Sequence, residues 1–173
     1  DREERKQSIL KQLSVIEKKL KLQALEKDKV LAQVTNLVEW PKLTYAEFDE
    51  KFLKAPQEVL ISEMVEHQKY FPLEDHNGVL QNIFLITADN NPSELILKGN
   101  QKVLSARLSD GVFLYKQDLK TSLTEFTEKL KMMTFQKDLG SMLDKVVRII
   151  SHAAILNRHL EIADSKQVAR AAL

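Results

Sequence analysis

The chain has no cysteine, which excludes disulfides, zinc–thiolate sites, thiol nucleophiles and iron–sulfur clusters. Glycine and proline number only four each, an argument for long helices and few tight turns. The glycines at 78, 99, 111 and 140 stand alone, so no glycine-rich loop is offered to cradle a phosphate. No G-x-S-x-G, Walker or G-x-G-x-x-G pattern occurs. No apolar run reaches the ~18 residues of a membrane-spanning helix. No basic-then-apolar opening with a small-residue cleavage site marks a secretory leader, so the expectation is a cytoplasmic protein with no membrane partner. Neither sign of charge dominates: 26 Lys and Arg face 25 Asp and Glu, a net charge of +1, which predicts no indiscriminate attraction to nucleic acid or anionic lipid.

What is present is 173 residues, 43% of them hydrophobic and 29% charged. That suits one domain, or one domain with an appendage, able to bury a core without staples. The near-neutral total hides a pattern. Residues 1–40 hold 9 basic and 7 acidic groups, 41–97 hold 4 and 10, and 98–157 hold 10 and 6. An acidic middle thus precedes a basic helical stretch. Its cations either form ordinary solvated helix faces or share one face that meets an anionic partner.

Ile9, Leu13, Ile16 and Leu20 step 4-3-4, a helical face, and Leu31, Val34 and Val38 resume it. The polar run Glu26-Lys27-Asp28-Lys29 argues for a break after about Leu22, with Asp28 as the next N-cap. Clean successive heptads are missing, so a packed helical hairpin is expected rather than a coiled coil. Trp40-Pro41 ends the run. Thr44 with Glu47 reads as a capping box opening a short helix over 45–53, with Phe48 and Phe52 on one face. Pro56 opens another helix to about Gln68.

The period then changes. Tyr70-Phe71-Pro72-Leu73 is extended, Asp75-His76-Asn77-Gly78 is a turn, and 79–88 is the returning strand. Asn77-Gly78 is expected to supply the two positive-φ residues of a tight hairpin. The unbroken Ile83-Phe84-Leu85-Ile86 suggests burial on both faces, and Pro72 confines its strand to an edge or a bulge. From Ser93 onward the pattern is helical, with a boundary or irregular point suggested at Gly99-Asn100. Val103, Leu104, Leu108, Val112 and Tyr115 make a stripe that Leu119, Leu123, Phe126 and Leu130 continue. A further helix is expected over 139–159. A weakly amphipathic one over 163–173 ends without a cap, as if cut inside a helical region. The fold class is therefore α+β and predominantly helical. It has an N-terminal helical segment (1–38), a core (39–135) holding a small antiparallel sheet with an Asn-Gly hairpin near 70–88, and C-terminal helices (136–173).

Candidate chemistry is sparse. His152 and His159 are seven apart, whereas zinc-binding helices usually place two histidines four apart with a further ligand elsewhere. A metal-dependent hydrolase would need one of them as ligand; neither a metal site nor a catalytic acid/base pair is assigned. His67-Gln68-Lys69-Tyr70-Phe71 gathers donors and rings at a helix-to-strand junction. There they either face RNA or anchor the sheet to the helix. Arg107 and Asp110 either pair along one helix, or Asn100, Lys102 and Arg107 point at phosphates. Lys145 and Arg148 share a face beyond Ser141, a plausible N-cap whose helix start is suited to receive a phosphate.

Several stretches, in order, resemble the beta subunit of bacterial heterotetrameric glycyl-tRNA synthetase. They are Leu37-Val38-Glu39-Trp40-Pro41, Phe48-Asp49 with Phe52-Leu53, Pro56-Gln57-Glu58-Val59-Leu60, Met64, and His67-Gln68-Lys69-Tyr70-Phe71 with Gly78. They continue with Gly99-Asn100-Gln101-Lys102-Val103-Leu104, Ala106-Arg107-Leu108-Ser109-Asp110, and Leu139-Gly140-Ser141 with Lys145 and Arg148. The family usually has Glu at Gln101 and Ala at Gly111; a helical Gly in place of Ala costs up to ~1 kcal/mol and is one cause of a kink.

The resemblance implies a piece of a longer subunit whose last residues, 136–173, open a helical module similar to HD-domain proteins. It implies that glycine activation, with ATP and magnesium, belongs to an alpha subunit or a fused alpha region, and that this piece has no catalytic centre and no cofactor. The implied partners are that alpha subunit and glycine tRNA. Placed on the motif positions, the tRNA-binding candidates are Gln68, Lys69, Asn100, Lys102, Arg107, Lys145 and Arg148. The alternative is a scaffold joining the alpha subunit to other tRNA-binding regions.

Overall fold

A computed structural model describes residues 1–173, which form two compact units, Asp1–Lys116 and Gln117–Leu173. In the first, helix α1 (Arg2–Leu20) opens on a capping box in which the Asp1 carboxylate accepts the Glu4 N–H and Glu4 reaches back to the cap. It ends at Lys21 in the left-handed conformation, φ 57°. The expected break is there. It contains a two-residue strand, β1 (Gln23–Ala24), before helix α2 (Lys27–Leu37). The N-cap is Glu26 at φ 51° with no side-chain bond; Asp28, the cap expected from sequence, lies inside the first turn.

The stretch 45–53 is not one helix. Lys42–Glu47 is strand β2, and a 3-10 turn, Glu50–Lys54, follows it. The capping-box pattern at Thr44 and Glu47 loses to a period of two. Leu43 and Tyr45 pack into one core cluster and Ala46 into another, while the whole strand pairs antiparallel with β4. Phe48 and Phe52 do pack together, their ring centroids 6.5 Å apart.

Helix α3 (Gln57–Ser62) starts after Pro56 and passes into a π-helical segment, Glu63–Gln68, closed by Lys69 at φ 59°. Strands β3 (Phe71–Glu74) and β4 (Leu80–Ala88) follow. The sheet order is β1-β3-β4-β2, antiparallel throughout. Pro72 sits at a register shift, and its carbonyl accepts the Leu25 N–H at 2.9 Å. The β3–β4 turn differs from the expected one. Only Gly78 has positive φ (+76°), and its N–H donates to the Asp75 carbonyl at 3.0 Å. That is a type I turn with the glycine in the bulge position, where a side chain would be strained.

The two sheet faces are both covered, as the unbroken apolar run of β4 predicts. Phe71, Leu73 and Leu85 pack with Ile9, Leu13, Val30, Leu31 and Val34 of α1 and α2. Phe84 and Ile86 pack with Phe52, Leu60, Met64, and with Leu104 and Leu108 of helix α4 (Glu94–Asp118). Helix α4 runs unbroken through Gly99-Asn100. Gly111 is buried within it because a Cβ there would lie 3.1 Å from Glu63 Cγ and 3.3 Å from Val59 Cγ1. The glycine serves a close approach between elements.

The second unit has a capped helix α5 (Leu123–Lys129), a two-stranded ribbon β5 (Thr134–Gln136) and β6 (Gly140–Ser141), and helices α6 (Met142–Leu160) and α7 (Ser165–Ala172). The ribbon has no counterpart in the sequence reading. Asn157 is the one buried residue of this unit; its amide donates to the Ala163 carbonyl at 2.8 Å and its Oδ1 accepts the Ala163 N–H. Leu123, Val147, Ile155, Leu156 and Leu160 are exposed.

Candidate nucleic-acid interface

The helix-to-strand junction is an anchor. Tyr70 and Phe71 are both buried, and the Tyr70 ring lies 5.0 Å from that of Phe84. They offer no stacking surface. Lys69, left-handed at the end of the π segment, donates its ammonium to the Glu66 carbonyl. Gln68 is half-buried beside it. Burial pushes the Tyr70 phenol up to about 12.

Asn100 is engaged at both ends. Its Oδ1 accepts the Tyr70 hydroxyl and its Nδ2 donates to the Ile96 carbonyl at 2.7 Å. Its neighbour Gln101 donates to the Glu47 carbonyl at 2.9 Å. The GNQK stretch therefore ties α4 to the sheet region, and Asn100 keeps only one amide N–H without a protein partner.

Lys102 and Arg107 are exposed and make no ion pair; Arg107 does not bridge to Asp110. Five residues on a helix turn the chain by roughly 140°, so the two cations point to different sides of α4 and do not form one anion site.

Lys145 and Arg148, three apart, do share a side of α6. The Lys145 ammonium sits 4.4 Å above the Phe135 ring, a cation–π contact that fixes it. Arg148 is exposed. The helix start is not open to a phosphate. Ser141 is the N-cap as expected, but the Asp144 carboxylate already accepts the Ser141 N–H and hydroxyl, both at 2.7 Å. Those bonds, the hydroxyl's first, hold the Asp144 carboxyl below the usual carboxylate range.

Sequence reasoning weighed His152 and His159 only as metal ligands. Both are exposed, and at seven and fourteen residues from Lys145 they fall on the same side of α6. The His159 Nδ1 donates to the Ile155 carbonyl at 2.9 Å, which leaves Nε2 without a protein partner. The signal available in the sequence was the 3-4-7 spacing of Lys145, Arg148, His152 and His159. No group of three or more His, Asp or Glu side chains is gathered to hold a metal ion, and no helix is long and apolar enough to cross a membrane.

Comparison with known proteins places the chain. A family model described as "Glycyl-tRNA synthetase beta subunit" matches residues 1–173. A glycine–tRNA ligase beta subunit from Trichodesmium erythraeum is 40% identical over 100% of this chain and 25% of its own length. That of Acaryochloris marina is 41% identical over 99% and 25%. A glycine–tRNA ligase from Chlamydia pneumoniae is 42% identical over 85% of this chain and 15% of that protein. The chain thus spans a quarter or less of these relatives. Matched along its whole length by the family model, the chain belongs to the glycyl-tRNA synthetase beta subunit family.

Proposed function

We propose that this chain is a non-catalytic region of the beta subunit of a cytoplasmic glycine–tRNA ligase that contacts glycine tRNA and supports its aminoacylation. Glycine activation, with ATP and magnesium, then belongs to an alpha subunit or a fused alpha region, and the chain alone is inactive. The observation that carries the tRNA contact is the charge on α6. The helix bears Lys145, Arg148, Arg158 and two histidines against one carboxylate, Asp144, which is folded back onto Ser141. A cationic helix whose only acid is internally engaged suits a phosphate backbone.

The test is binding to glycine tRNA and to a non-cognate tRNA at low and moderate salt. Replacing Lys102, Lys145 and Arg148 together by Ala is expected to weaken binding. The log–log salt slope should fall by about 0.7–0.9 for each phosphate that is no longer neutralised. Unchanged binding by a folded triple variant refutes the contact. A scaffold role is favoured instead by the inward engagement of Lys69, Tyr70 and Asn100. In that case core truncations such as Leu104→Ala abolish aminoacylation by the reconstituted enzyme, and charge removal on α6 does not.

A further inference from the structure

The surface of the first unit holds a concavity of about 410 Å³ at the end of α1. Four chain segments wall it: the last turns of α1, the turn into β1, the first residue of α2, and His76 in the β3–β4 turn. Lys18, Lys21, Lys27 and His76 are its basic members and Ser14 and Gln23 its neutral donors. Its single carboxylate, Glu17, is already engaged: Oε1 accepts the Ala24 N–H at 2.7 Å and the Lys27 ammonium at 2.8 Å. Lys18, Lys21 and His76 are exposed and make no ion pair.

The walls are held in place by bonds that leave these cations free. The Glu17 carbonyl accepts the N–H of Lys21 and that of Leu22, which fixes the left-handed turn presenting Lys21. In the hairpin, the Asp75 carboxylate accepts the Asn77 and Val79 N–H groups and the Gln81 amide, so the acid beside His76 is engaged by its own turn. Two unpartnered ammonium groups, an imidazole, a hydroxyl and a carboxamide thus converge on one concavity whose acid is satisfied.

We infer that this concavity binds a phosphate group of a polyanion, with Lys18 and Lys21 as charge partners and Ser14, Gln23 and His76 as hydrogen-bond donors. The phosphate comes either from an RNA backbone or from a free polyphosphate. The site uses no residue of α6 and does not rest on the tRNA reading made there.

The chain and its Lys18→Ala/Lys21→Ala variant are titrated, at constant ionic strength, with inorganic pyrophosphate and separately with glycine tRNA. Binding is read directly, and the His76 ring signals are followed by NMR, assigned through His76→Gln. The double variant is expected to bind at least one probe tenfold or more weakly, with His76 signals that no longer respond. Loss confined to pyrophosphate identifies a free-polyphosphate site; loss confined to tRNA identifies a backbone contact. Lys51→Ala/Lys54→Ala removes the same charge elsewhere on the unit and is expected to leave both affinities unchanged. The inference is overturned if the folded Lys18/Lys21 variant binds both probes like the parent, if the control variant loses as much, or if the parent binds neither. Loss of tRNA binding on changing α6 alone leaves the proposed function standing without this site. Pyrophosphate binding by a chain that ignores tRNA does the reverse.

Discussion

The Tyr70 hydroxyl donates to Oδ1 of Asn100, joining the residue that enters β3 to the second turn of α4. Tyr70→Phe leaves the Asn100 oxygen without its partner and is expected to cost about 1 kcal/mol in urea unfolding. Asn100→Ala costs a similar amount, and the double variant costs less than the sum, because one bond underlies both. Additive effects would show that the bond contributes nothing.

The same phenol has a pH signature. Its folded value, about 12, lies above its ordinary value of 10.0, so the folded chain holds the proton more tightly than the unfolded one. The stabilisation is complete below pH 10 and is lost as the pH rises toward 12. Tyr70→Phe is expected to remove this alkaline slope, and ultraviolet difference titration of the three tyrosines should show one late ionisation.

Asp75 works in the opposite direction. The Val79 N–H bond first, and the Asn77 N–H bond with it, hold its carboxyl below the ordinary 3.8. Its contribution is present above that value and lost as the pH falls through the folded one. Asp75→Asn is expected to flatten this acid limb in thermal melts followed from neutral to acid pH; an unchanged limb assigns acid sensitivity elsewhere.

Gly111 sets two effects against each other. Alanine gains up to about 1 kcal/mol of helix propensity but brings its Cβ to 3.1 Å from Glu63 Cγ, a side chain able to yield. Gly111→Ala is therefore expected to change stability by less than about 1 kcal/mol. Gly111→Leu, which cannot avoid Val59 and Glu63 together, is expected to destabilise by roughly 1–3 kcal/mol. Equal stability of both variants would show that α4 moves away freely.

Ser141→Ala removes the cap of α6 and is expected to cost about 1 kcal/mol of helix stability. Amide exchange at the first turn of α6 should accelerate, while exchange in β4 stays unchanged. No change at α6 would mean that the bonds between the Ser141 hydroxyl and Asp144 are not formed in solution.

The helices and the central hairpin were legible because their signals are local and strong: the 4-3-4 spacing of Ile9, Leu13, Ile16 and Leu20, the period change after Gln68, and Gly78. Strand β2 was not, because Thr44 and Glu47 imitate a helix start and only pairing with β4 decides the matter. The β5–β6 ribbon is too short to carry a pattern. At the candidate interface, residue type picks out cations and amides but says nothing of their availability. Asn100 and Lys69 look like phosphate donors in sequence, yet their bonds run to Tyr70, Ile96 and Glu66, partners that folding supplies. His152 and His159 were weighed only as metal ligands, since seven-residue spacing says "same side" without saying toward what.

A π turn holds one residue more per hydrogen-bonded ring than an α turn. The segment Glu63–Gln68 therefore sets the phase between α3 and the strand that follows it. Deleting one residue there would let the segment relax to α geometry and would shift Phe71 and Leu73 toward the opposite face of the sheet, since strand side chains alternate. Tyr70 would leave Asn100, and both core clusters would lose members at once. This stretch is thus length-locked. It admits changes of residue type at its exposed positions, such as Glu66 and His67, but not a change in the number of residues.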